Sequence, residues 1–316
     1  MKIGVSACLL GNMCRYDGAH SKDDFIANIL KNYFEFVPYC PEKMVFTTPR
    51  EAIRLVEKDS KIEVVTSNTN KVVTKELEDI SKELVEEIQK EQLCGFILKS
   101  KSPTCGMERV KVYQDKNAPS EKKGVGIFAK ELQNNFPLLP IEEEGRLNDA
   151  WLRENFLMQI FAYKALFEFL LSNPNFKDLV QFHTSYKYLI YSKSNQSYKI
   201  LGNIVANHEK KSIDEVLSQY KYSFLEAISK KGNIKKTYNV LLHIFGYFKK
   251  LITKEEKQEI LDAIDEFKQE IIPLIAVIKI LNIYTKRFNI EYLKTQIFLN
   301  PYPKELALRS NVKAYK

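Results

Sequence analysis

The stretch "TKELEDISKELVEEIQKEQLCGFILKSKSPTCG", residues 74–106, contains a helix pattern, a strand pattern and a cysteine-bearing turn in succession. Four apolar residues recur at helical spacing in its first half: Leu77, Ile80, Leu84 and Ile88. This spacing predicts an amphipathic helix. The apolar run that follows predicts a buried strand, after which Cys105 stands between Pro103 and Gly106 in a tight turn. A helix that leads into a buried strand is typical of an α/β fold.

The same alternation extends outward over the first half of the chain. Segments 2–10, 34–40 and 136–144 have strand character, and 53–67 reads as a β-hairpin. Helical spacing is found in residues 22–34 and 124–135. Strands separated by helices predict an α/β domain with a mostly parallel sheet.

Strand patterns stop after residue 145, and the rest of the chain predicts an all-α domain. One long helix should begin after Asp149, which is placed to cap it. Further helices are predicted at 176–191, 213–230, 234–251, 254–271 and 274–288. We therefore expect two domains, one over residues 1–145 and one over residues 146–316.

The composition is typical of a soluble, globular protein, with 45% hydrophobic and 28% charged residues among 316. No apolar run is long enough to predict a membrane span, and the N-terminus reads as a strand rather than a signal peptide. We expect a cytoplasmic location without membrane association. The five cysteines are then predicted to be thiols, metal ligands or catalytic groups rather than disulfides.

The net charge of +8 is unevenly distributed along the chain. Residues 1–150 carry 22 Lys and Arg against 24 Asp and Glu, whereas residues 151–316 carry 26 against 16. A basic second half could contact a polyanion. A lysine-rich genome would produce the same imbalance, and charge alone does not separate the two readings.

Three cysteines stand at or just beyond predicted strand ends, beside Gly or Pro: Cys8, Cys40 and Cys105. Ligands bind outside the carboxyl ends of parallel strands, so these side chains could converge there. Three thiolates suit a soft metal site, with an iron–sulfur cluster as the first candidate. Because free cysteine is commonly buried, three small core residues are the alternative.

Two further cysteines have less defined roles. Cys94 lies where a helix pattern meets a strand pattern, so core packing is expected. Cys14 lies close to Cys8 and could be a loop residue, a fourth ligand or a redox-active neighbour. A role without metal ligation is favoured for Cys14.

Groups able to bind a substrate or move protons surround these cysteines. Glu42 follows Cys40 by two residues and could act as general acid or base, or cap a helix or loop. The hydroxyls of Ser102 and Thr104 could donate hydrogen bonds to a ring carbonyl or to cluster sulfur, or stabilise their turn.

Three charged side chains are candidates for substrate binding. Arg15 and Asp17 form a polar group before Gly18, where an internal ion pair that fixes the loop is the alternative role. Lys99 stands at the start of the turn that carries Cys105.

The motifs "SACLLG…CRYDG", "CPE…TPR" and "LKSKSPTCG", followed by "GVGIFAKEL", resemble the thiouracil desulfidase family over residues 1–145. The stretches "FHTSYKYLIYS", "LGNIVAN", "NVLLHIFGYFKK" and "NPYPKELALR" resemble a known partner domain. The combination is similar to bacterial tRNA 4-thiouridine desulfidases.

This resemblance implies a [4Fe-4S] cluster held by Cys8, Cys40 and Cys105, with one iron open to the substrate sulfur. Glu42 matches the family's acidic residue and would assist water attack, and Ser102 matches its first turn serine. Thr104 replaces the family's second serine but keeps the hydroxyl. The implied activity is conversion of 4-thiouridine in tRNA to uridine, with release of sulfide.

A tRNA substrate would require phosphate contacts from the basic helical half. The candidate RNA-binding lysines are Lys210, Lys211, Lys230, Lys231, Lys235, Lys236, Lys249 and Lys250. Each alone reads equally well as part of a solvated helix end or loop. His183 and His243 have mostly apolar neighbours at helical spacing and are predicted to be core histidines.

Other functional classes stay open at this point. The chain could desulfurise free thiouracil or thionucleosides, or be a metal-stabilised RNA-binding protein without turnover. A thiol redox sensor using Cys8 and Cys14 is a further alternative. No obligate protein partner is inferred.

Overall fold

Strand β1 (Lys2–Ser6) organises the N-terminal region by pairing in parallel with β2 (Glu35–Tyr39) and with β5 (Phe96–Leu98). Strand β8 (Ile141–Glu143) pairs in parallel with the other edge of β5, so the sheet order is β2-β1-β5-β8. The structure is a computed structural model, and it describes residues 1–114 and 119–306. The predicted α/β region with a mostly parallel sheet is confirmed.

A second sheet was only half visible in the sequence. The predicted hairpin forms as β3 (Ile53–Lys58) and β4 (Lys61–Thr66), which pair antiparallel. Two unpredicted strands, β6 (Val110–Tyr113) and β7 (Glu121–Gly124), extend this sheet in the order β4-β3-β6-β7. Each is four residues long. Because β7 is largely charged and exposed, it has no apolar alternation to detect.

Helices complete the N-terminal unit. They are α1 (Pro41–Val45), α2 (Thr74–Lys90) and α3 (Ile127–Asn135). The predicted amphipathic helix is α2, which buries Leu77 and Leu84. The ring centroid of Phe96 on β5 lies 5.5 Å from that of Tyr39 on β2 and 5.7 Å from that of Phe128 on α3. These rings pack the sheet against α3. The helical pattern at 22–34 forms short irregular turns, at Phe25–Ile29 and Leu30–Asn32.

The predicted all-α second part is also confirmed. Its helices are α4 (Ala150–Leu171), α5 (Phe176–Lys193), α6 (Asn195–Ala206), α7 (Ile213–Ser229), α8 (Ile234–Phe245), α9 (Lys254–Lys268), α10 (Leu274–Arg287) and α11 (Glu291–Lys294). Asp149 caps α4, since its carboxylate accepts from the Leu152 amide at 2.9 Å. The unpredicted α6 is capped by Ser194, whose hydroxyl oxygen accepts from the Ser197 amide.

The chain divides into two units, Met1–Phe156 and Leu157–Lys316. The division falls inside α4, eleven residues beyond the boundary expected at 145. Within the described ranges, every helix is too short or too polar to cross a bilayer.

Candidate functional site

The loops that follow β1, β2 and β5 surround one cavity of about 320 Å³. Cys8 lies in the helical turn after β1, Cys40 directly after β2, and Cys105 in the turn after β5. All three line this cavity. Because their strands are parallel neighbours, their carboxyl ends lie at the same edge of the sheet.

A fourth sulfur lies in the same cavity, contributed by Cys14. Its side chain is 2% exposed, and its thiol is in hydrogen-bonding contact with Cys40 and Cys8. The Cys40 thiol also approaches the Cys14 carbonyl oxygen at 3.9 Å. The loop at Cys14 is therefore folded onto the cysteine group, a placement that its sequence left open.

Three thiols of this group, those of Cys14, Cys40 and Cys105, lie in an environment that favours their neutral form. The hydrogen bond with Cys40 lowers the pKa of Cys14, but contact with Cys8 and burial outweigh it and raise that pKa to about 11. The hydrogen bond with Cys14 and burial raise the pKa of Cys40. Burial, followed by the charge of Glu42, raises the pKa of Cys105. Bound cations would reverse this balance, because a coordinated thiol is deprotonated.

The turn that presents Cys105 is fixed by Ser102. The Ser102 hydroxyl oxygen accepts hydrogen bonds from the Thr104 and Cys105 amides, each at 3.1 Å. The Gly106 amide donates to the Ser102 carbonyl at 2.9 Å. These bonds close the turn around Pro103 and orient the Cys105 side chain toward the cavity.

The beginning of α3 supports this turn from behind. The Gly126 amide donates to the Gly106 carbonyl at 2.8 Å, and the Ile127 amide donates to the Pro103 carbonyl at 3.1 Å. A Cβ atom on Gly126 would lie 2.4 Å from the Thr104 carbonyl oxygen. Only glycine allows this approach of helix to turn.

Glu42 occupies the first turn of α1 and is held by two side chains. Arg50 donates to its Oε2 at 2.6 Å, and the Ser102 hydroxyl donates to its Oε1 at 3.3 Å. The Arg50 guanidinium also donates to the Cys14 carbonyl at 3.2 and 3.3 Å. The Arg50 side chain is 7% exposed and that of Glu42 17%. Arg50 thus connects the carboxylate to the cysteine loop.

The other predicted substrate-binding residues are placed differently. Arg15 lines the cavity, and its Nε lies 3.4 Å from Asp17 Oδ1. Asp17 is exposed, lies outside the cavity lining and accepts from the Ala19 amide, so it stabilises its own loop. Lys99 lines the cavity, with its ammonium group paired to Glu144. Thr104 is fully buried behind the turn, and its hydroxyl has no hydrogen-bond partner among the described residues.

The donor set of the cavity suits a thiophilic metal group. Soft thiolate ligands select copper(I), zinc and iron–sulfur clusters. Within residues 1–114 and 119–306, no three side chains among His, Cys, Asp and Glu are arranged to hold one metal ion. Cysteines that bind an iron–sulfur cluster attach to separate irons, so they need not meet at one point. The four sulfurs and the size of the cavity fit a cluster better than a single ion.

Sequence reasoning missed Arg50 and Ser6. Arg50 stands in the "TPR" part of the quoted motif, but its partner Glu42 lies eight residues away across a turn. Ser6 ends β1 next to Cys8, and its hydroxyl hydrogen bonds the Cys105 thiol and accepts from the Lys99 amide at 2.9 Å. The available signal for Ser6 was its position in "VSACLLG", two residues before Cys8 at the end of a predicted strand.

The candidate RNA-binding lysines are spread over the helical unit. Lys230 donates to the Ser197 hydroxyl at 3.0 Å, Lys236 donates to the Lys193 carbonyl at 2.9 Å, and Lys211 pairs with Glu209 at 2.8 Å. The remaining candidates are exposed, namely Lys210, Lys231, Lys235, Lys249 and Lys250.

The two histidines differ from each other. His183 is half-buried, and its Nδ1 lies 3.3 Å from the hydroxyl of the fully buried Tyr220. Burial, with the charge of Lys187, lowers the pKa of His183 to about 4. His243 is exposed, so its predicted core role is wrong. The apolar residues beside it in sequence lie on the opposite face of α8.

Comparisons with known proteins divide the chain in two. Residues 3–144 match the model of the 2-thiouracil desulfurase family, and residues 187–303 match a family described as protein of unknown function DUF1722. The protein YbbK of Bacillus subtilis is 34% identical over 110 residues, which cover 32% of this chain and 71% of YbbK. YbgA of Escherichia coli K12 is 27% identical over 154 residues, which cover 48% of this chain and 91% of YbgA.

Among solved structures, the chain is similar to TudS, described as a [4Fe-4S]-dependent thiouracil desulfidase. The two are 25% identical, with a TM-score of 0.39, over 47% of this chain and 93% of TudS.

Proposed function

Because this chain belongs, through residues 3–144, to the 2-thiouracil desulfurase family, we propose that it is a [4Fe-4S]-dependent desulfidase whose substrate is 4-thiouridine in tRNA. The observation that carries the proposal is the shared cavity of the three strand-end cysteines, with Glu42 and Ser102 on its wall. Cys8, Cys40 and Cys105 hold the cluster. When bound, the cluster supplies an iron with affinity for sulfur that acts as a Lewis acid.

The chain's own residues then carry out a hydrolysis. Glu42 accepts a proton from the water that adds to the thiocarbonyl carbon of the base. The Ser102 hydroxyl and Arg50 hold the two carboxylate oxygens of Glu42, so this general base faces the water in a defined orientation. Sulfur leaves as hydrogen sulfide and the oxygen of water takes its place. The carbon keeps its oxidation state, so no electron donor is required.

Arg15 and Lys99 supply positive charge at the cavity wall. Their position suits contacts to the ring oxygen or to a neighbouring phosphate. Lys99 is held against Glu144 and Ser100, so it acts as a fixed donor.

The preference for tRNA over a free base rests on the helical unit. Residues 151–316 carry ten more basic than acidic side chains, which suits a phosphate-rich partner. On this proposal, turnover of 4-thiouridine tRNA should fall steeply with added salt. Turnover of free 4-thiouridine should be nearly independent of salt.

The deciding experiment measures iron and acid-labile sulfide per chain after anaerobic reconstitution. The parent is compared with Cys8→Ala, Cys40→Ala and Cys105→Ala, and with Cys94→Ala as a matched control outside the cavity. The proposal expects one cluster per chain in the parent and in the Cys94→Ala control, and no cluster in the other three variants. Only protein that carries the cluster should release sulfide from 4-thiouridine tRNA. A parent that binds no iron, or site variants that keep it, would refute the proposal.

A further inference from the structure

The junction of α5, α6 and α8 with the end of α7 brings aromatic rings together with lysines. We call this set the junction surface: Lys187, Tyr191, Tyr198, Lys230, Lys236 and His243. The Tyr191 ring lies 5.4 Å from Tyr198 and 5.6 Å from His243, measured between ring centroids. Both tyrosines are partly exposed, and His243 is exposed. Solvent therefore reaches part of each of these three side chains.

The lysines of the junction surface are fixed close to these rings. The Lys187 ammonium lies 5.9 Å from the centroid of Tyr198. Lys230 donates to Ser197, the residue before Tyr198, while also pairing with Glu226 at 2.8 Å. Lys187 thus lies against one ring of the junction surface, and Lys230 is held next to the helical turn that carries Tyr198.

Helix α8 adds a third lysine to the junction surface. Lys236 donates to the Lys193 carbonyl, two residues beyond Tyr191. Lys236 and His243 are seven residues apart on α8, which places them on one face of the helix. The ring and the cation of α8 therefore face the same junction.

A neighbouring group of tyrosines continues the aromatic character. Tyr292 lies 6.3 Å from Tyr188 and stacks on Tyr247 at 5.5 Å with an interplanar angle of 17°. Tyr247 is 40% exposed. Aromatic side chains thus reach the surface again close to the junction.

We propose that the junction surface binds unpaired nucleotides of an RNA, with bases stacking on its aromatic rings and phosphates contacting its lysines. The inference deepens the proposed function, on which its choice of RNA rests. Bases in a duplex have no free faces, so stacking platforms select single-stranded segments such as loops and ends. An acidic protein would use the lysines but not the ring faces. The excess of basic residues in this half of the chain agrees with a polyanion.

The test measures the affinity of the full-length protein for a fluorescent oligouridylate and for unmodified tRNA by anisotropy. Tyr191→Ala and Tyr198→Ala should each weaken oligouridylate binding about 5- to 100-fold, because each removes one stacking partner. Tyr191→Phe should bind like the parent. Tyr222→Ala is the matched control, since Tyr222 is a 63% exposed tyrosine of α7 outside the junction surface.

A charge variant provides a second readout that does not depend on the rings. Lys236→Gln should reduce the slope of log affinity against log salt by about one. Circular dichroism of each variant identifies any that fail to fold, and Tyr191→Phe and Lys236→Gln keep the test decisive in that event.

The outcomes separate the two proposals. If the parent binds RNA and the tyrosine variants bind it equally well, the proposal that the junction surface binds RNA is overturned. The desulfidase proposal is unaffected by that result. Polyglutamate that binds as tightly as oligouridylate, or a parent that binds no RNA, would also overturn the proposal for the junction surface. Turnover of free 4-thiouridine by the parent reports on the desulfidase independently.

Discussion

The Ser102 hydroxyl donates to Glu42 Oε1 at 3.3 Å across 60 residues of chain. The same oxygen accepts from the Thr104 and Cys105 amides, which leaves its hydrogen directed at the carboxylate. One hydroxyl therefore couples the turn that carries Cys105, a proposed cluster ligand, to the proposed general base. This coupling makes Ser102 a positioning group whose loss should affect turnover more than cluster binding.

Ser102→Ala should lower kcat for 4-thiouridine by about 100-fold, because Glu42 loses the donor that orients it. The iron content should fall much less than the rate, because the backbone bonds from Gly106 to Ser102 and from Ile127 to Pro103 still hold the turn. Single-turnover kinetics with iron analysis measure both. Ser102→Thr keeps the hydroxyl and should recover part of the rate. An alanine variant that turns over at the parent rate would exclude the orienting role.

Arg50→Leu should destabilise the metal-free protein by about 3–5 kcal/mol, since it leaves the half-buried Glu42 carboxylate without its partner. The Cys14 carbonyl loses its donors in the same variant. Chemical denaturation measures the free energy of unfolding. The double variant Arg50→Leu/Glu42→Leu should lose less than the sum of the two single changes. Strict additivity would show that the ion pair contributes no coupling.

Gly126→Ala should reduce cluster loading, because the new Cβ would meet the Thr104 carbonyl oxygen at 2.4 Å and displace the turn that presents Cys105. Iron per chain after reconstitution is the measurement. Gly202→Ala is the control, since its Cβ would meet no atom within 4 Å and lies in the middle of α6. Equal iron in the two variants would contradict the supporting role of α3.

The free energy of unfolding should decrease as the pH is lowered, because His183 takes up a proton more readily in the unfolded chain. Its folded pKa of about 4 lies below the ordinary value of 6.5, so the unfolded chain binds the proton more readily between these values. The stability that neutral His183 provides is fully present above pH 6.5 and decreases as the pH falls toward 4. From pH 7 to pH 5 the loss is about 2 kcal/mol.

Denaturation at the two pH values, monitored by helical circular dichroism, tests this effect. His183→Gln retains a group able to hydrogen bond Tyr220 and cannot titrate. The variant should show a smaller loss of stability from pH 7 to pH 5 than the parent. An unchanged loss would assign the acid sensitivity to other groups.

Much of the site was visible in the sequence because it depends on strand ends. Cys8, Cys40 and Cys105 each follow a recognisable apolar segment, and parallel pairing brings such ends to one edge. The stripe on α2 and the Asp149 cap are local patterns and were predicted for the same reason. Strands β6 and β7 were missed because their four residues hold too little periodicity.

Sequence by itself determined most of the helices and strands, the change from α/β to all-α, and the placement of three cysteines at strand ends, since these follow from periodicity and residue chemistry. Strands β6 and β7 and helix α6 were visible only in the structure. Tertiary structure alone decided that Arg50 pairs with Glu42, that Cys14 joins the cysteine group and that Thr104 is buried behind it. It also placed His243 and Tyr191 on one surface. These relationships depend on how loops and helices distant in sequence pack together, and no local pattern records that.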